Sequence, residues 1–292
     1  MLQSNIDDVR QVSSAAGNQV FRVRCGDRVA FLKVARELDL RREVAVLEAL
    51  HKQDVPVPVI EAFDATGDTA GAPCLLLRHV GGRPLTGVEP VLRTAGAHLR
   101  AVHDIKLDGF GSLVVHGPIR GEDLTWADTV RRRTTRLEPI IDAGLIDADL
   151  VARAGVALEK GQQLFDAVPS GRLLHGDFHP RHVYASDERI TGIIDWGDAT
   201  SGDPVYDLGR VLHSGVLDKG LEHGFALVQV VVDGYGDAPW IRRELTAKLL
   251  LYAAVFVMWS MEGEFSGGAP WAPWWPAQNA ALSLILDRVS RT

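Results

Sequence analysis

The residues that could do chemistry lie between His175 and Asp207, where HGDFHPRH is followed, two short apolar runs later, by IDWGD. Val183-Tyr184-Ala185 and the stretch from about Ile190 to Ile194 read as strands around the polar turn Ser186-Asp187-Glu188-Arg189. If they pair antiparallel about that turn, His182 faces Asp195 across the hairpin mouth, with Cα atoms about 4.5–5.5 Å apart. Asp177 sits in the loop just before the hairpin, near the same mouth. These residue types suit phosphoryl transfer. One carboxylate orients an attacking hydroxyl and accepts its proton, and a second holds the metal that bridges the phosphates. General-base assistance typically contributes about 10²–10⁴-fold, and positioning with charge neutralisation much of the remainder.

Positioning such a site needs elements on both sides of it. Gln19 to Cys25 and Arg28 to Ala35 are β-rich runs joined by Gly26-Asp27, which suits a hairpin. Upstream, Ser13 to Asn18 reads as a small-residue loop. A helix is expected from about Leu40 to His51 with Asp39 as N-cap, its apolar positions Leu40, Val44, Leu47 and Leu50 at helical spacing. The segment VPVPV ends it. An apolar run, Cys74 to Leu77, leads into Gly81-Gly82-Arg83-Pro84, the best hinge in the chain. Beyond it, Leu92, Ala95, Leu99, Val102 and Ile105 mark one helix face. Further helices are expected from about Trp126 to Asp142 and Asp149 to Phe165. A compact β section follows from Leu173 to Trp196, then helices to the end. The fold class is therefore α+β: a small β-rich lobe over residues 1–79 and a larger, mainly helical lobe over 80–292.

Each residue alone has a plainer role. Asp177 would be a turn residue or cap, and Asp195, ending an apolar strand, is turn or site with equal weight. His175 reads as structural and His179 as solvent-facing. Lys33 in an apolar strand and Glu43 on the edge of a helix stripe are ordinary snorkelling charges one at a time, yet on adjoining elements they suggest a pair. Asp203-Pro204 reads as a helix start and Asp207 as structural. Order and spacing taken together outweigh these separate readings.

HGDFHPRH (175–182) with IDWGD (194–198) resembles the aminoglycoside phosphotransferase family, which shares the protein-kinase fold. The likeness extends to Gly202-Asp203-Pro204 with Asp207-Leu208, and upstream to Phe31-Leu32-Lys33-Val34, Glu43, Leu75-Leu76-Leu77 and Gly81-Gly82-Arg83-Pro84. It implies a two-lobed kinase-like fold, with Asp177 as catalytic aspartate and Asp195 as metal aspartate. Lys33, steadied by Glu43, would hold the nucleotide phosphates, and the backbone of Arg78, His79 and Val80 would meet the purine. Gly17 and Asn18 are the candidate phosphate contacts of the first loop, although that loop lacks G-x-G-x-x-G and any Walker-type pattern. The donor is ATP or GTP, the metal Mg²⁺ or Mn²⁺. The departure is His182, where the family's usual pattern has asparagine; imidazole suits transition metals better than Mg²⁺. Members that phosphorylate macrolides are similar at this point, so the acceptor is expected to be an antibiotic, aminoglycoside or macrolide. Sugars, choline and amino alcohols are the alternative. Asp198, Glu262, Glu264 and Trp271 are the substrate candidates, the last three in an acidic and tryptophan-rich C-terminal region.

Composition narrows the partners. The 292 residues are 46% hydrophobic and 24% charged, ordinary for a globular chain. A formal net charge of −7 argues against nucleic acid and tolerates a cationic substrate. Cys25 and Cys74 form no metal or disulfide pattern. The most apolar stretch, Leu249 to Met261, is too short to span a bilayer, and the N-terminus has no signal pattern. A cytoplasmic monomer with a small-molecule partner and no membrane is the simplest reading. The rival is a metal-dependent hydrolase built on His175, Asp177, His179 and His182. It leaves Lys33, Glu43 and the Asp195 strand end unexplained.

Overall fold

Strand-forming residues build the first lobe as expected, with one strand more at each edge. In the computed structural model, which describes residues 6–15, 18–35, 39–69, 71–238, 240, 244–266 and 274–292, β1 (Asp8–Ala15) pairs antiparallel with β2 (Asn18–Cys25), and β2 with β3 (Arg28–Ala35). The β2–β3 hairpin closes through Gly26, whose φ of 60° lies in the left-handed region. The expected Ser13–Asn18 loop is largely ladder: Ser13, Ser14 and Ala15 pair with Val20, Gln19 and Asn18. The strand-poor serines there take a ladder set by β2, a tertiary effect that outweighs local propensity.

The helix α1 (Leu40–His51) has the expected limits, and the Asp39 side chain accepts from the Arg41 amide at 3.1 Å. It buries Leu40, Val46, Leu47 and Leu50, and Glu43 with them. Strands β4 (Ile60–Asp64) and β5 (Cys74–Arg78) complete a sheet in the order β1-β2-β3-β5-β4. The chain then leaves this sheet through Gly81-Gly82-Arg83-Pro84. Gly82 has φ 90°, and a Cβ there would collide with the Ala185 carbonyl. Arg83–Pro84 adds at once to the hairpin formed by Val183–Ser186 and Arg189–Ile193.

The second lobe holds more β structure than its sequence suggests. Lys106–Leu107, Gly171–Leu174, Thr200–Gly202, Phe110–Val115 and Ile119–Asp123 form a five-stranded sheet in that order. Runs of two to six residues are too short to print a period. Two expected helices are broken. Trp126 to Asp142 divides into Trp126–Arg132 and Glu138–Asp142, with Pro139 at the start of the second. Asp149 to Phe165 divides at Gly161 into Ala148–Lys160 and Gln162–Asp166.

The core of this lobe is the helix Leu245–Ser266, packed on Val205–Lys219 and Trp274–Val289. At 22 residues it outruns the expected apolar stretch and is long and apolar enough, by length and composition alone, to cross a membrane. Here every residue from Leu249 to Met258 is buried against protein. Each such large side chain contributes roughly 1.5–3 kcal/mol of hydrophobic stabilisation.

His213 ties two of these helices by its bond to Gln278 Oε1, 2.9 Å, deep in the core. Burial, with Arg210 nearby, pushes its imidazole down to about 3. In the unfolded chain the ring titrates near pH 6.5, so stability from this site is full above that pH and is lost as pH falls towards 3. His213→Gln is expected to flatten the fall of Tm between about pH 7 and pH 5. Parallel melting curves for variant and parent across that range would show that His213 does not carry the acid sensitivity.

Candidate active site

The loop carrying Asp177 is held from below. Asp207, on the helix Val205–Lys219 and fully buried, accepts from the amides of His175 at 2.8 Å and Gly176 at 2.9 Å, and from His103 Nε2 at 3.0 Å. Burial alone would raise its carboxyl pKa, but the His103 bond and the other donors bring it below the usual range. Gly176 has φ 83°, and a Cβ there would run into the Asp198 carbonyl. His175 is structural, as expected. Its Nε2–H donates to Ile194 O at 2.9 Å while Nδ1 accepts from the Asp177 amide at 3.2 Å. Both ring nitrogens are committed, so His175 cannot serve the four-residue metal cluster of the hydrolase reading. Asp177, His179 and His182 alone remain within ligand distance of one another.

His179, expected to face solvent, is buried, because its ring lies 3.9 Å from that of His182. Burial first, then the Arg210 charge, holds it far below the ordinary imidazole range, hence neutral. Arg210 is the site residue that sequence reasoning missed. Its Nε donates to Asp177 Oδ1, and only a helix phase relative to Asp207 could have pointed to it.

Asp195 ends the hairpin in the left-handed region, φ 68°. The Ile194 amide bonds His182 O at 2.9 Å, so the mouth closes as expected and His182 Nε2 lies 3.7 Å from Asp195 Oδ2. Lys33 reaches over from β3, 2.7 Å from Glu43 Oε1 and 3.3 Å from Asp195 Oδ1. Burial would lower the Lys33 pKa, but the two carboxylates raise it well above the ordinary range, so it stays charged. Asp195 moves the other way: enclosure raises it, and Lys33 more than reverses that.

Of the hinge residues, Arg78 and His79 already spend their amides on Val59 O and Val29 O, and Val80 packs over Gly192. Asn18 opens β2; Gly17 lies outside the described residues, as does Trp271. Asp198 and Glu262 line one pocket of about 280 Å³ together with Trp259. Enclosure in the cleft, then Asp177 and Asp195, pushes the Asp198 carboxyl up to about 6. Glu264 is exposed two positions further along the helix and is not among that pocket's lining.

A cation fits between Asp195 and His182. His182 Nδ1–H donates to Asp177 O at 2.9 Å, which leaves the Nε2 lone pair aimed at a carboxylate oxygen. Two acceptors so placed repel unless a proton or a metal lies between them.

Sheet, buried lysine–glutamate pair, hinge and acidic hairpin define a two-lobed chain of the kinase-like fold. It belongs to the phosphotransferase enzyme family, whose model matches residues 8–244. The chain is 24% identical over 212 residues to acyl-CoA dehydrogenase family member 11 of Rattus norvegicus, and 26% identical over 171 residues to homoserine kinase of Allorhizobium ampelinum. Those matches take 67% and 58% of this chain but span 25% and 50% of the relatives. Among solved structures, a thermostable mutant of aminoglycoside phosphotransferase APH(4)-Ia with AMP-PNP and hygromycin B superposes with TM-score 0.71 at 20% identity, covering 98% of this chain and 95% of that one. A putative fructosamine-3-kinase from Thermobifida fusca gives 0.66 at 20% identity, covering 99% and 95%. The GDP and kanamycin complex of another aminoglycoside phosphotransferase gives 0.67 at 15% identity, also covering 99% and 95%. At these identities the likeness carries the fold.

His182→Asn replaces a nitrogen donor by a carbonyl oxygen, which Mg²⁺ prefers. The ratio of Mg²⁺- to Mn²⁺-supported turnover is expected to rise several-fold in the variant. An unchanged ratio would remove His182 from the metal.

Proposed function

We propose that this chain moves the γ-phosphate of ATP or GTP to a hydroxyl of a small molecule, using Asp177 to orient that hydroxyl and accept its proton. The observation that carries the reading is Lys33, held at 2.7 Å from Glu43 and 3.3 Å from Asp195. A half-buried ammonium from the N-terminal sheet thereby meets the carboxylate that closes the second lobe's hairpin, beside the Asp177 loop. In the cleft between residues 1–79 and 80–292, Lys33 would take phosphate oxygens when a nucleotide enters. The Arg78–Val80 stretch would face the base through backbone groups other than the two engaged amides. Asp195 and His182 would hold Mg²⁺ or Mn²⁺, which supplies neutralisation of phosphate charge.

Arg210 holds Asp177 Oδ1, leaving Oδ2 as the oxygen to receive a hydroxyl hydrogen. The hydroxyl oxygen forms its bond to phosphorus as the bond to the β-phosphate oxygen breaks; the proton passes to Asp177, and the nucleoside diphosphate leaves with the electron pair.

The acceptor is proposed as an antibiotic or a metabolite. Hygromycin B and kanamycin occupy the solved relatives, and Asp198 and Glu262 are carboxylates that an amine could meet. The metabolite reading has its own support, since the pocket shared by those acids is also lined by Arg42, Arg132, Arg133 and Arg136, and one curated relative is a homoserine kinase. A small-molecule reaction in the cytoplasm by a monomer is the setting that this reading assumes.

The test is nucleotide consumption with Mg²⁺ across aminoglycosides, macrolides, amino alcohols and hydroxy acids, with the product checked for the mass of one added phosphate. Asp177→Asn is expected to lower acceptor-dependent turnover about 10²–10⁴-fold while nucleotide affinity stays within twofold. Near-normal turnover in that variant would take Asp177 out of the mechanism.

A further inference from the structure

The pocket beside the Asp177 loop is basic. Its lining includes Arg42 from α1, and Arg133 and Arg136 from the far side. Among the described residues neither Arg42 nor Arg133 has a carboxylate within 4.0 Å. Arg133 instead donates to the Tyr206 hydroxyl and, at 3.3 Å, to Thr200 Oγ1, and lies 5.3 Å from the Trp259 ring centroid. Arg136 is exposed and stands 3.9 Å from Glu262, too far for a tight pair. Arg132, by contrast, is already paired with Glu122 at 2.9 Å and with Asp123. Two guanidiniums with no carboxylate within 4.0 Å among the described residues and a third loosely paired thus line a space of about 280 Å³.

The pocket also holds two carboxylates. Asp198, pushed up to about 6, keeps most of its charge at pH 7, and the Arg133 charge acts on it. Glu262 stands 3.9 Å from Arg136, a pairing as loose for the acid as for the arginine. A polyamine entering here would face four guanidiniums against two carboxylates, at a cost of like-charge repulsion. Guanidinium forks match carboxylate and phosphate oxygens in pairs. Asp198 also connects the pocket to the reacting hydroxyl, because its backbone carbonyl lies against Gly176, the residue before Asp177.

We propose that the acceptor is an anionic hydroxyl compound, a hydroxy acid or a hydroxylated phosphate ester. Its anionic group docks on Arg42, Arg133 and Arg136, its chain lies on Trp259, and its hydroxyl reaches Asp177. This deepens the phosphotransferase reading above and rests on it.

The experiment is calorimetric binding to the ATP-loaded full chain, without turnover, using Ca²⁺ in place of Mg²⁺. The probes are 4-hydroxybutyrate against its amide, glycerol 3-phosphate against glycerol, and kanamycin. At least one anionic probe is expected to bind ten times more tightly than its neutral partner. That preference should shrink below threefold in Arg42→Gln and in Arg136→Gln, whose side chains carry no buried contacts that folding needs. Preference confined to 4-hydroxybutyrate names a carboxylate, and preference confined to the glycerol pair names a phosphate. Equal or absent binding of every anionic probe and its neutral partner, or tighter binding of kanamycin than of any anion, overturns the inference while ATP binding leaves the parent reading standing. Failure to bind ATP at millimolar concentration overturns the parent reading itself.

Discussion

The loop carrying Asp177 exists in its observed shape because one carboxylate, Asp207, is buried without any exposed surface and must be satisfied by donors. Two of those donors are the successive amides of His175 and Gly176, so the backbone just before Asp177 has no freedom to turn elsewhere. The third, His103 Nε2, connects Asp207 to a chain in which the Tyr235 hydroxyl meets His103 Nδ1 at 2.9 Å and accepts from Trp240 Nε1 at 3.0 Å. Helices Val91–Asp104, Val205–Lys219 and Leu221–Tyr235 thereby converge on the loop. Losing the carboxylate would strand two buried amides, each costing about 1–3 kcal/mol, and would release the residue that the chemistry needs fixed.

The opposite wall obeys the same electrostatic logic with the sign reversed. An ammonium as enclosed as Lys33 would lose its proton if it stood alone. Glu43 and Asp195 keep it charged, and in doing so they join α1 and the hairpin end to the strand between them. Asp195 adopts a left-handed backbone, which aspartate takes more readily than most residues other than glycine. Its carboxylate lies 3.3 Å from Lys33 Nζ and 3.7 Å from His182 Nε2. The departure from asparagine at His182 is accommodated without distortion, because the ring spends one nitrogen on Asp177 O and keeps the other for the cleft.

Much of this was legible from residue order. The β2–β3 hairpin, α1 with its Asp39 cap, the hinge glycines and the mouth of the Val183–Ile193 hairpin all follow from local signals: turn residues, caps and alternation. Membership of a phosphotransferase family followed from the same motifs. What was not legible depended on partners distant in sequence. β1 and the five-stranded sheet of the second lobe consist of short segments whose pairing, not composition, makes them strands. His179 looks like a surface residue until the His182 ring stacks on it. Arg210 lies in an apolar helix with nothing local to mark it, and it is chosen only by the position of Asp177. Of the pocket arginines, Arg42 lies on α1 while Arg133 and Arg136 follow the helix Trp126–Arg132, and their convergence is purely tertiary.

Net charge and site charge differ here, and the difference has a physical scale. A chain of formal charge −7 is expected to repel an anion at long range, but at physiological ionic strength that field decays over about 8 Å. Inside the cleft the nearest groups decide. Lys33 faces the region expected to hold phosphates, and Arg42 and Arg133 line the adjoining pocket with no carboxylate within 4.0 Å among the described residues. A nucleotide and an anionic acceptor side by side would bring several negative charges together. On the proposed reading, a cation at Asp195 and the arginines beyond it would divide that charge between two ends of one cleft. The single hydroxyl between them would then lie where Asp177 is held by Arg210. An acceptor carrying positive charge would leave that second set of guanidiniums unpaired and facing it, so the arrangement discriminates by what it would leave unsatisfied as much as by what it binds.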